Sequence, residues 1–167
     1  KQLPRYLSNL PANNATVREF APPIAVTFSE AMLAASLTPA RFQLFAAGPD
    51  TTPGTADDVL LDGGVVTLNA AGAVASLAFP SRPLPNGRYR AVVRAAVADL
   101  AGNPIGTERA WVFTVAKPAP QVTLNVPTPN ATFTTTRPAI SAGFDSPMNP
   151  ATITPATFQL FGFGPDN

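Results

Sequence analysis

Apolar and polar residues alternate along this chain in short runs, never in long helical stripes. Residues 24–28 (Ile-Ala-Val-Thr-Phe) form one run. Residues 41–45 form another, with Phe42 and Leu44 on one face. Residues 59–61, 65–68 and 74–79 follow, separated by Asp62-Gly63-Gly64 and by Asn69-Ala70-Ala71-Gly72, which are turn-forming stretches. From Arg88 to Ala96 the period is two. Tyr89, Ala91, Val93 and Ala95 point inward, and Arg88, Arg90 and Arg94 outward. A last run, 111–115, places Trp111 beside Phe113, and Tyr89 and Trp111 read as core anchors. About seven short strands with turns every 8–12 residues predict an all-β immunoglobulin-like β-sandwich. Residues 29–37 contain good helix formers, but the pattern is read as a loop with at most one helical turn, for a reason the repeat supplies.

Residues 38–50 read TPARFQLFAAGPD and residues 154–167 read TPATFQLFGFGPDN. Shifting the chain by 116 residues brings the copies into register without a gap, and about half of the forty positions from Pro11 to Asp50 are identical. Phe28 and Met32 recur as Phe144 and Met148, which marks them as core plugs. The copy of residues 29–37 contains Pro147 and Pro150, which a long helix does not tolerate. A period this long exceeds solenoid repeats of ~20–50 residues and matches a whole small domain. The expected organisation is a complete module over residues 1–116, a Pro-rich linker over 117–120, and the opening part of a second tandem module over 121–167. Pro118 and Pro120 stiffen the linker toward polyproline II. Phe133, Ile140, Phe144, Phe158, Leu160, Phe161 and Phe163 then lack a covering sheet. Two explanations compete. In the favoured one, the 167 residues are a segment of a longer chain that completes the fold; in the other, an identical subunit supplies strands by β-augmentation.

Composition narrows the function more than it names it. Apolar residues make up 46 % and charged residues 13 %, enough to bury a core. The net charge is +1, from 11 basic and 10 acidic residues spread along the chain, so no footprint for nucleic acid follows. No stretch reaches the ~20 apolar residues of a membrane span. The opening KQLPRYLSNL has no apolar export core, so any such signal is expected to lie outside these residues. Cysteine and histidine are both absent, which removes thiolate nucleophiles, imidazole bases and the usual zinc ligands. Glu30 and Asp99 remain as an acid–base pair in principle, but the second copy has Ser146 where the first has Glu30. The chain reads as a non-enzyme.

The strongest candidate for chemistry is the loop 48–58. Asp50, Asp57 and Asp58 lie within nine residues, close enough to converge on calcium, which takes six to eight oxygen ligands. The spacing is not that of an EF-hand. The competing reading is a polar hairpin tip in which Asp50 and Asp57 cap turns through their own backbone. No other cofactor is expected. Asp99 with Asn103 reads as a turn held by side-chain hydrogen bonds. The arginine row reads as a solvated strand face, with an acidic polymer or a partner module as the sharper alternative. Asn14-Ala15-Thr16 and Asn130-Ala131-Thr132 fit a glycosylation pattern and are read as turns.

Four stretches carry a family resemblance. Val26-Thr27-Phe28-Ser29-Glu30-Ala31-Met32 resembles the V-x-F-S-E-x-M signature of bacterial Ig-like domains of the SbsA/S-layer type. Leu84-Pro85-Asn86-Gly87-Arg88-Tyr89 is similar to that family's L-x-x-G-x-Y strand entry, and Asp99-Leu100-Ala101-Gly102-Asn103 to its D-x-A-G-N turn. Trp111-Val112-Phe113-Thr114 is similar to its closing F-x-F-T strand. The resemblance implies a secreted or cell-surface structural module, arranged in tandem, with no catalytic residues to carry over. The expected function is therefore a spacer or assembly module of a bacterial surface or extracellular protein. Its expected partners are neighbouring Ig-like modules in cis or identical subunits in trans. The alternatives are an adhesin or carbohydrate-binding module using the sandwich-end loops, and an accessory domain of a secreted hydrolase. A row of exposed aromatics would favour carbohydrate binding.

Overall fold

The computed structural model describes residues 3–19 and 21–162. Phe163 and the stretch Gly164-Pro165-Asp166-Asn167, which complete the repeated motif in sequence, lie outside the described residues. The chain divides into two compact units, Lys1–Lys117 and Pro118–Asn167.

The described residues of the first unit form nine strands: β1 (Tyr6–Leu10), β2 (Ala15–Val17), β3 (Ile24–Phe28), β4 (Phe42–Ala46), β5 (Val59–Leu60), β6 (Val65–Leu68), β7 (Val74–Ala78), β8 (Gly87–Val93) and β9 (Arg109–Val115). They form a four-stranded sheet in the order β1-β3-β7-β6 and a five-stranded sheet in the order β2-β9-β8-β4-β5. Every pair is antiparallel except β2 with β9, where Ala15 meets Phe113 and Val17 meets Val115 in parallel register. The all-β sandwich follows directly from the alternation.

The inward residues of the two sheets make one core. Val26, Phe28 and Leu77 from the first sheet share a cluster with Phe42, Leu44, Tyr89, Ala91, Trp111 and Phe113 from the second. Phe42 lies 5.9 Å from Trp111 and Tyr89 stacks at 5.6 Å on Phe113. Met32 sits among them at 2 % exposure, as its repetition suggested. Burying each such side chain is worth about 1.5–3 kcal/mol. The indole Nε1 of Trp111 is enclosed with no hydrogen-bond partner. Burial pushes the Tyr89 phenol above its ordinary value, against a smaller opposing pull from Arg82, and its hydroxyl donates to the Pro85 carbonyl at 2.8 Å.

Three details differ from the pattern reading. β8 ends at Val93, so Ala95 is only half-buried, because the backbone N–H of Arg94 turns to the Arg41 carbonyl. Val92 is buried although it lies on the face of the arginines. β1 carries no clean alternation and β2 is only three residues long; they are held by β3 and β9 respectively. Residues 29–37 form a loop with a single 3₁₀ turn, Ala34–Ser36.

The second unit contains β10 (Val122–Val126), β11 (Ser141–Phe144) and a 3₁₀ turn, Pro150–Thr152. β10 and β11 pair as Val122 with Phe144, Leu124 with Gly143 and Val126 with Ser141. Each pair lies 116 residues beyond its β1–β3 counterpart, and the same bulge follows the first pair. Asn14 and Asn130 both adopt left-handed backbone, at φ 63° and 66°, a conformation asparagine tolerates. Among the described residues no helix is long and apolar enough to cross a membrane.

Candidate functional site

The loop between β4 and β5 is shaped by its own polar groups. Asp50 Oδ1 accepts from the Thr52 N–H at 2.8 Å, and Asp58 Oδ2 accepts from the Gly54 N–H at 2.7 Å. Asp57 is the hub. Its Oδ1 accepts from the Thr55 hydroxyl at 2.6 Å and its Oδ2 from the Asp50 N–H at 3.3 Å. The Thr55 hydroxyl, followed by the Asp50 N–H, holds the Asp57 carboxyl below its ordinary 3.8. Gly48 is required here: a Cβ on it would stand 2.3 Å from Asp57 Oδ2 and 2.4 Å from the Asp57 carbonyl oxygen. Thr51 takes φ 57°, and Gly54 φ 101°. The loop thus brings Asp50 and Asp57 together through a backbone N–H. Asp58 turns one oxygen to Gly54 and encloses the other, Oδ1, without a partner. Among the described residues no three acidic side chains assemble into a metal-holding group.

Asp99 is the most deeply committed carboxylate. It is 2 % exposed. Its Oδ1 accepts from the N–H groups of Ala101 and Asn103, both at 2.8 Å, and its Oδ2 from Asn103 Nδ2 at 2.6 Å. The backbone closes the same turn, with the Asp99 N–H donating to the Asn103 carbonyl at 2.9 Å. Gly102, at φ 78°, supplies the left-handed residue the turn needs. Asp99 also bridges Met32, tying the turn to the loop after β3. Glu30, the other half of the conceivable acid–base pair, has one oxygen enclosed without a hydrogen bond. Asp99's carboxyl oxygens thus accept the N–H groups that close the turn.

The arginine row is spent within the unit. Arg94 bonds Glu108 Oε2 at 2.7 Å and Gln43 Oε1 at 2.7 and 2.9 Å. Arg90 lies 3.9 Å from Glu108 and over the Phe45 ring. Arg88 reaches the Thr51 carbonyl at 3.4 Å. Sequence reasoning missed Glu108, whose relevance depends on β8 and β9 lying side by side. It also missed an apolar groove of about 440 Å³ bordered by Pro22, Pro23, Phe79, Pro80, Arg82 and Leu84. A run of prolines at 80–85 was the available signal.

Among the described residues, the large exposed apolar side chains of the first unit are aliphatic, such as Leu3, Leu7, Val59 and Leu100, and the exposed aromatics are Phe133, Phe158 and Phe161 of the second unit.

Comparison with known proteins places this architecture. Among solved structures, the chain is similar to PcoC, a copper resistance protein from Escherichia coli. The two are 20 % identical with a TM-score of 0.50, over 70 % of this chain and 100 % of that one. It is also similar to domains 1–6 of the surface layer protein SbsC, at 19 % identity and a TM-score of 0.48, over 72 % of this chain. CopC from Methylosinus trichosporium OB3b matches at 18 % identity and a TM-score of 0.46, over 68 % of this chain and 94 % of that one. The chain spans about 15 % of the SbsC structure's length. A comparison with curated protein sequences finds no match. Residues 1–115, which hold both sheets of the sandwich, match the bacterial Ig-like domain model, and the chain belongs to that family.

Proposed function

We propose that this chain is a structural module of a bacterial cell-surface or extracellular protein, a spacer that recurs in tandem and has no catalytic role. The observation that carries this reading is the repeat itself: β10 and β11 reproduce β1 and β3 pair for pair, including the bulge, 116 residues on. Two supports come from the first unit. Its polar side chains Asp57, Asp99 and Arg94 are engaged in hydrogen bonds and an ion pair within the unit. Its exit is also pinned. The Lys117 N–H donates to Asn86 Oδ1 at 2.9 Å, Asn86 Nδ2 donates to the Lys117 carbonyl at 3.0 Å, and Lys117 Nζ donates to the Leu84 carbonyl at 2.6 Å. A spacer needs its chain to leave each sandwich from a fixed point, and the prolines at 118 and 120 continue that stiffness. The partners in this reading are neighbouring Ig-like modules.

An antibody against the first unit, applied to intact and to permeabilised cells of the encoding bacterium, tests it. Labelling of intact cells is the expected result. Labelling that requires permeabilisation would overturn the surface assignment.

A further inference from the structure

Residues 12–16 make the turn between β1 and β2 and the start of β2. The Ala15 N–H closes the turn on the Ala12 carbonyl at 3.0 Å, and Asn14, at φ 63°, donates its N–H to the Val112 carbonyl at 2.7 Å. The neighbouring Asn13 is tied down by its side chain, whose Oδ1 accepts from the Val112 N–H at 3.0 Å. Asn14 and Thr16 are different. Both are exposed, and among the described residues neither the Asn14 carboxamide nor the Thr16 hydroxyl has a hydrogen-bond partner. Both sheets of this unit are in place around them, with β2 at the margin of the five-stranded sheet and paired to β9. The other described asparagines of the first unit all commit their carboxamides: Asn69 to the Ala73 and Val74 N–H groups, Asn86 to the Lys117 backbone, Asn103 to Asp99, and Asn9 to the Pro11 carbonyl. Asn14 is also the one described asparagine of that unit with a hydroxyl residue two positions on. The two properties are independent, yet they select the same residue. The turn explains the asparagine, which tolerates left-handed backbone, but it does not explain the threonine. Asn130-Ala131-Thr132 repeats the letters 116 residues on, with Asn130 at φ 66° and the Ala131 N–H on the Thr128 carbonyl at 3.1 Å.

We infer that Asn14 is an acceptor of an N-linked saccharide, with Thr16 as the hydroxyl by which a transferase recognises it, and that Asn130 with Thr132 is its counterpart in the second unit. The donor is a saccharide carried on a lipid diphosphate. Asn14 Nδ2 forms the new bond to the anomeric carbon of the sugar, and the bond from that carbon to the diphosphate oxygen breaks. The lipid diphosphate leaves with the electron pair, and one amide proton passes to the transferase. This chain contributes no base to the step, which accords with its lack of histidine and cysteine. What it supplies is an uncommitted amide, a free hydroxyl two residues on, and an approach at the margin of a sheet. Asn13, one residue away, fails on two counts, because Val112 holds its side chain and Ala15 stands two positions on. The inference goes beyond the spacer role and rests on the surface reading in one respect, that lipid-linked saccharides are transferred to exported chains.

The test takes the protein from the encoding bacterium, digests it with trypsin and reads the peptides by mass spectrometry, with fragmentation that keeps a saccharide on its side chain. Cleavage after Arg5 and Arg18 places Asn9, Asn13 and Asn14 in one peptide, so the first two serve as internal controls. The expected result is a saccharide on Asn14 and on neither of the others. Thr16→Val keeps the β-branched shape that suits a strand and removes the hydroxyl; expressed in the same bacterium, it is expected to lose the saccharide. Thr16→Ser, which keeps the hydroxyl, is expected to retain it. A bare Asn14 in the unaltered protein overturns the inference, as does a Thr16→Val protein that keeps its saccharide, or a saccharide shared equally with Asn13. A role confined to the turn predicts no saccharide on any of the three proteins. Antibody labelling of intact cells reads location separately. A bare Asn14 on a chain that labels intact cells overturns the saccharide and leaves the surface reading standing, whereas labelling only after permeabilisation overturns the surface reading itself.

Discussion

Phe42 and Phe158 are the same residue in the same Phe-Gln-Leu-Phe stretch, one enclosed at 0 % exposure and one at 46 %. Replacing each with alanine therefore measures what the surrounding sandwich contributes. Phe42 touches Trp111 at 5.9 Å and pairs across the sheet with Val93. Its truncation removes a large apolar side chain and leaves a cavity the rigid sheets cannot close, at a cost of about 3–5 kcal/mol. At a urea dependence of about 2 kcal/mol per molar, the midpoint falls by roughly 1.5–2.5 M. Trp111 is the chain's sole tryptophan, so its fluorescence follows the first unit, while circular dichroism follows both. Since a domain holds only about 5–15 kcal/mol in total, Phe42→Leu serves as the milder variant, at about 1–2 kcal/mol. Phe158→Ala is expected to cost less than about 1 kcal/mol by either probe. Equal losses at the two positions would refute the reasoning, because an exposed ring cannot leave a cavity.

Other consequences follow from the polar clusters. Asp99→Ala strands the N–H groups of Ala101 and Asn103 and the Asn103 amide, and is expected to cost about 2–3 kcal/mol in urea unfolding; a loss under 1 kcal/mol would contradict the buried-turn assignment. The Asp57 carboxyl is expected to titrate below 3.8 by NMR, and Thr55→Ala to move it back upward, since the Thr55 hydroxyl is the largest cause of the shift. A depressed folded value means that the group's contribution is present above the unfolded value and lost as pH falls through the folded one; the loop is therefore expected to loosen at acid pH, not at alkaline pH. Calcium at about ten times a weak extracellular dissociation constant of ~1 mM would stabilise a binding protein by about 1.4 kcal/mol. With Asp50, Asp57 and Asp58 turned to backbone donors, no change in melting temperature is expected, and a rise of several degrees would establish a calcium site there.

Which elements the sequence reveals depends on how each is buried. β8 was legible because Tyr89, Ala91 and Val93 face one side while Arg88 and Arg90 face the other. β1 was not, since at the edge of its sheet only Tyr6 and Asn9 are even half-buried. A three-residue strand such as β2 offers too few positions for any period. Residues 158–161 show the opposite limit, where letters identical to β4 form no strand without a β8 beside them, because strand formation depends on cross-strand partners. In the loop 48–58 the acidic composition was legible. The direction of each carboxylate was not, because it depends on Gly48 packing against Asp57 and on the left-handed turn at Gly54. Asp99 was legible as a turn former, while its burial comes from the bridge to Met32, 67 positions earlier.

The central claim is that one sequence motif is closed in the first unit and open in the second. Backbone hydrogen exchange across the intact chain tests it most directly. Amides of Phe42–Ala46 are expected to exchange only with global unfolding of the first sandwich, and amides of residues 158–161 to exchange near the rate of an unstructured peptide. Equal protection of the two stretches would contradict it.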